Sequence, residues 1–185
     1  MEGKAGEKVI PTAPERREPL IQEMQRLAYA GNHCAACTGV CCTFLANSMQ
    51  ITPVEAVDLR DWLIAQGRWD DALKADLQHC VKRFRLDHDV SGGRRSMRKT
   101  YTCPFYQPGP KGCSISRHHK PYGCLAFNTR ETGVTDGGNC ASDQTMLERH
   151  TANTSQEHAR NLELKTQVGW FTDKAPIPVA LLQVD

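Results

Sequence analysis

Nine cysteines in a chain of 185 residues constrain this sequence more than any other feature. They stand at Cys34, Cys37, Cys41, Cys42, Cys80, Cys103, Cys113, Cys124 and Cys140. An odd number cannot all pair as disulfides. The N-terminal segment Met1-Glu2-Gly3-Lys4-Ala5-Gly6-Glu7-Lys8 lacks the apolar stretch of a secretory signal. The expected compartment is therefore the cytoplasm, where thiols stay reduced and clustered cysteines serve metals more often than disulfides. No apolar run is long enough to span a bilayer, so no membrane association is expected.

The first cluster, Cys34 to Cys42, has the form C-x2-C-x3-C-C. Wound as a helix, it would place Cys34, Cys37 and Cys41 at roughly 0°, 300° and 340°, on one narrow face. Adjacent Cys41 and Cys42 cannot easily address one small ion together, which suggests a polynuclear cluster or two neighbouring sites. The other four motif cysteines, Cys103, Cys113, Cys124 and Cys140, are spread out, and proline or glycine flanks most of them. In such turns backbone N–H groups reach sulfur and the chain can bend round an ion. Eight thiolates, Cys34, Cys37, Cys41, Cys42, Cys103, Cys113, Cys124 and Cys140, are the candidate ligands for zinc or an iron–sulfur cluster. The spacing matches neither a zinc ribbon nor a ferredoxin run, so the metal is left open. Cys80 falls on the apolar stripe of an expected helix and reads as a core thiol.

Mean hydropathy is −0.52, and 24% of residues are charged, as suits one polar domain. Residues 1–19, punctuated by Pro11, Pro14 and Pro19, are expected to form a flexible arm, residues 20–175 the metal-binding domain and 176–185 a short apolar tail that could dock as a strand or pack over the core. Leu20, Met24 and Leu27 predict a helix that stops at Gly31-Asn32. Thr52-Pro53-Val54-Glu55 is a capping box opening a second helix, and Trp69, Leu73, Leu77, Cys80, Val81 and Phe84 stripe a third over 69–88. Residues 96–116 read as extended, with short strands near 97–117. A long polar helix, or two, is expected from Ser142 to about Val168. The fold class is mainly α, with a few short strands and long loops stapled by metal.

Five pieces of sequence carry a resemblance: the C-x2-C-x3-C-C run, Ile51-Thr52-Pro53, Cys103-Pro104-Phe105, Gly112-Cys113-Ser114-Ile115 and Lys120-Pro121-Tyr122-Gly123-Cys124. Together they resemble the YkgJ-type cysteine-cluster family, a zinc- or iron-chelating domain, over roughly residues 33–128. Two departures stand out. The family's Arg-Pro is Lys120-Pro121 here, and its Cys-Arg-x-Phe-Pro reads Cys124-Leu125-Ala126-Phe127-Asn128. The resemblance implies metal chelation in a bacterial cytoplasmic protein, with no settled biochemical role. Flagellin lysine methylases carry a related motif, but no methyl-donor site is recognisable in this chain.

Residues 82–120 hold ten basic and two acidic side chains. Arg94, Arg95, Arg98 and Lys99, with Tyr101, Phe105 and Tyr106 nearby, could bind phosphate and stack bases. A zinc-stapled nucleic-acid-binding module is therefore one alternative; counter-charge for anionic thiolates is the simpler account. An iron–sulfur-dependent modifying enzyme is another. His33, next to Cys34, and His118 and His119 are further possible ligands, and Lys99 and His119 are expected to support the thiolates from behind. His79, His88, His150 and His158 read as surface residues. No phosphate-binding glycine loop, nucleophile elbow or H-E-x-x-H helix is present, and no catalytic residue stands out.

Overall fold

The computed structural model describes residues 10–31, 39–88, 98–108, 112–129, 140–142, 144–170 and 172–185. Two helices open on the same Thr-x-x-Glu signal. In α1 (Ala13–Tyr29) the Glu15 carboxylate accepts from both the backbone N–H and the hydroxyl of Thr12, each at 2.7 Å, and Pro14 lies in the first turn. In α2 (Pro53–Ala65) Thr52 caps the N–H of Glu55 at 3.3 Å while Glu55 accepts from Thr52 N at 2.9 Å. α1 therefore begins inside the arm expected over 1–19. Pro14 fits an early helical position, where no N–H is needed, and Pro19 is carried within the helix at the loss of one hydrogen bond.

α3 (Asp71–Phe84) is capped by Asp70, whose carboxylate accepts from Leu73 N at 2.8 Å, and ends at Arg85 in the left-handed conformation (φ 51°). Its stripe buries Leu77 and Cys80 completely or nearly so, with Trp69, Leu73, Val81 and Phe84 packed against the same core. α4 (Tyr122–Leu125) is one turn. α5 runs unbroken over Gln144–Val168, where the sequence allowed two helices. α6 (Ile177–Gln183) closes the chain.

Among the described residues the strands pair antiparallel in three two-stranded sheets. β1 (Gln50–Ile51) pairs with β6 (Ala175–Pro176), β2 (Tyr106–Gln107) with β3 (Gly112–Cys113), and β4 (Phe127–Thr129) with β5 (Cys140–Ser142). The hairpin β2–β3 falls where strands were expected; the other two sheets lie outside 97–117. The protein is mainly helical, with short strands.

One apolar cluster joins α2, α3 and α6 through Leu59, Leu63, Leu77, Ile177, Ala180 and Leu181, with Ile51, Tyr101 and Phe105 inserted. Residues 176–185 pack into this core, as an apolar tail can. Pairing of β6 with β1 aims the apolar face of α6 inward, and each such side chain contributes about 1.5–3 kcal/mol on burial. A second cluster, Leu20, Ile21, Tyr122, Leu125, Ala126 and Met146, sits between α1, α4 and α5. Among the described residues no helix is long and apolar enough to cross a membrane.

Candidate metal centre

Three stretches far apart in the chain bring cysteines to one region. The first is anchored at Gly39, whose φ of 74° lies in the left-handed region; a Cβ there would stand 2.5 Å from Cε2 of Tyr106. Only glycine lets the Tyr106 ring pack so closely on this backbone. Val40–Cys42 then form a tight 3-10 turn, with Cys42 N bonded to Gly39 O at 2.8 Å. The carbonyl of Cys42 accepts from Cys103 N at 2.8 Å, which docks the second stretch. Cys103 O accepts from Tyr106 N at 3.0 Å, and in the hairpin Tyr106 stands opposite Cys113. The third stretch turns at Pro121, whose carbonyl accepts from Cys124 N at 2.9 Å. The Met49 thioether lies against Gly123, close enough that a Cβ there would meet it at 2.7 Å.

The thiols feel one another. A side-chain hydrogen bond to Cys42 and burial push the Cys41 thiol far above its ordinary range, and the nearby Lys120 charge opposes this. Burial raises Cys103, and Cys124, Cys113 and Cys80 raise it further. Cys124 is pushed up to about 12, by burial first; Lys120 lowers it, while Cys113, Glu55 and Cys41 add to the rise. The raised thiols of Cys41, Cys103 and Cys124 thus lie within electrostatic reach of Cys42 and Cys113. A cation bound there would favour the ionised form of the raised thiols. The donor set, all sulfur, is the kind that zinc and iron prefer. Among the described residues, no group of three or more His, Cys, Asp or Glu side chains is already close enough to hold an ion. Cys34, Cys37 and His33 lie outside the described residues, as does the side chain of Cys140, whose backbone pairs in β5 opposite Thr129.

Cys80 is 5% exposed, donates to Thr102 O at 3.4 Å and is raised to about 11 by burial. Lys99 takes a different role from the one expected. Its ammonium donates to the carbonyls of Arg85 and His88, where it finishes the C-terminal end of α3. His119 stacks on Trp62 at 5.3 Å and 16°, and burial lowers its pKa. His118 is exposed and pairs with Glu18 at 3.4 Å. His79, His88 and His158 are exposed. The cation beside the thiols is Lys120, which the sequence marks only as the lysine standing where the resembled family has arginine. Arg98 is exposed; Arg94 and Arg95 lie outside the described residues.

Behind the Lys120–Cys124 turn lies a buried polar network that sequence reasoning missed. Arg16 pairs with Asp58 and with Glu157 (3.0 Å) and donates to the Tyr122 hydroxyl at 2.9 Å. That hydroxyl donates to Glu157 at 2.5 Å. Arg17, fully buried, pairs with Asp58 at 3.0 Å, donates to Lys120 O at 2.7 Å and lies 4.7 Å over the Tyr122 ring. Glu55 accepts from Tyr122 N at 2.8 Å. Burial opposes the Arg16 charge, but its bonds to Asp58 more than offset this and raise its pKa; burial also raises Glu157. The network clamps α1, α2 and α5 onto the turn that carries Lys120 and Cys124. No family model, curated protein or solved structure matches this chain.

Proposed function

We propose that this chain is a thiolate metal chelator holding zinc or an iron–sulfur cluster in the cytoplasm. One observation supports the reading: a backbone bond docks Cys103 on Cys42, Cys113 pairs opposite Tyr106, and Cys124 lies within electrostatic reach of Cys103, Cys113 and Cys41. Its resemblance to the YkgJ-type cysteine-cluster family supports it. Cys41, Cys103, Cys113 and Cys124 would supply the first ligands, with Cys42, Cys34, Cys37 and Cys140 completing a cluster or a second site. Zinc would contribute folding energy outright, and an iron–sulfur cluster would add electron transfer. Lys120 would offset part of the negative charge of metal-bound thiolates, and the backbone N–H of Phe105 would support Cys103.

The test is elemental analysis and visible spectroscopy on protein purified without oxygen. Stoichiometric zinc in a colourless protein, or iron with sulfide and thiolate-to-iron absorption, is the expected result. It should be lost in Cys41→Ser, Cys103→Ser and Cys124→Ser and kept in Cys80→Ala. Folded protein that contains neither metal refutes the proposal.

A further inference from the structure

The loop that follows Cys42 carries a surface with no role in metal chelation. Phe44 is 53% exposed and Leu45 68% exposed, although both are large apolar side chains that gain by burial. Phe44 is held in place. Its N–H donates to the Thr102 hydroxyl at 3.1 Å, and its ring stacks on Phe84 at 6.5 Å and 27°. The Arg83 guanidinium lies over the Phe84 ring, 5.6 Å from its centre. Arg83 and Phe44 thus both pack on the Phe84 ring, and Phe44 stays about half exposed.

The surroundings of these rings are basic. Lys82, Arg83 and Arg85, at the C-terminal end of α3, are exposed, as is Arg98. The segment carrying Arg98 is pinned to α3 by Lys99, through its bonds to Arg85 and His88. The acid within 79–88 is Asp87, itself exposed and 3.9 Å from His88. An open aromatic face beside several cations matches single-stranded nucleic acid, in which bases supply stacking surfaces and phosphates supply negative charge. A solvated charge run would not need an exposed, anchored ring at its centre.

We infer that Phe44, stacked on Phe84 and flanked by Arg83, Arg85 and Arg98, forms a binding surface for single-stranded nucleic acid. One base stacks on Phe44 and the neighbouring phosphates lie along the three cations. The surface does not depend on the identity of the metal.

The experiment is fluorescence anisotropy of the full chain, as purified, with a short labelled oligothymidylate. Three phosphate contacts at about 0.7 each predict roughly 20-fold weaker binding between 50 mM and 200 mM salt. Phe44→Ala should weaken binding about tenfold, and Phe44→Trp should retain it. Replacing Arg83 and Arg98 together with glutamine should lower the salt slope by about 1.4. Circular dichroism of each variant confirms that the fold is kept. Several results would each overturn the inference: no binding at low salt, equal affinity for an abasic strand of the same length, unchanged affinity in Phe44→Ala, or tighter binding to the corresponding duplex. Binding to anionic vesicles without binding to the oligonucleotide would do so as well.

Discussion

Removing the Tyr122 hydroxyl probes the buried network with little change in shape. Tyr122→Phe deletes one oxygen that accepts from Arg16 at 2.9 Å and donates to Glu157 at 2.5 Å. Hydrogen bonds to charged groups contribute about 1.5–3 kcal/mol each. Arg16 and Glu157 still meet directly at 3.0 Å, so part of the loss is recovered, and the net cost should be about 2–3 kcal/mol. For a chain of this size that lowers Tm by about 4–12 °C. The partners are coupled, so the double variant with Glu157→Gln should depart from additivity by about 1 kcal/mol. Thermal and urea unfolding followed by circular dichroism measure both quantities. A Tm within about 1 °C of the parent, or strict additivity in the cycle, would refute the claim that this oxygen holds the two charges together.

If the proposed metal binding holds, Lys120→Gln should weaken it by about tenfold in competition with a chelator, because its charge eases ionisation of Cys41 and Cys124. Half-loading should also move to higher pH, and Lys120→Arg should restore both. For His119 the folded pKa lies below the ordinary 6.5, so its contribution to stability is complete above that value and is lost as pH falls through the folded pKa. His119→Phe, which can keep the stack on Trp62, should flatten that part of the decline in urea midpoints measured on either side of pH 6.5; an unchanged decline contradicts the assignment.

The elements that the sequence reveals are those specified locally. The Thr52–Glu55 box, the stripe ending at Phe84 and the hairpin around Gly112 follow from cap chemistry, period and turn residues. Thr12 and Glu15 carry the same signal at the start of α1, within a stretch whose density of prolines points to a loose arm. Arg16 and Arg17 could not be read this way. Their burial depends on Asp58 and Glu157, which are far away in the chain and reach them only after α1, α2 and α5 have packed. Lys99 and Lys120 illustrate the same limit at the site. Distance along the chain favours neither, and tertiary packing sends one to the end of α3 and the other to the thiols.

Gly39 is locked from two directions, by its backbone twist and by the aromatic ring resting on it. A methyl group at this place would lever the ring away, and the hairpin bearing Cys113 would move with it. Divergence among chains that share this architecture should therefore be free to change the ring's identity before it changes the residue beneath. A hydrogen atom two positions ahead of the paired sulfurs is then a more durable signature of common descent than the ring packed on it.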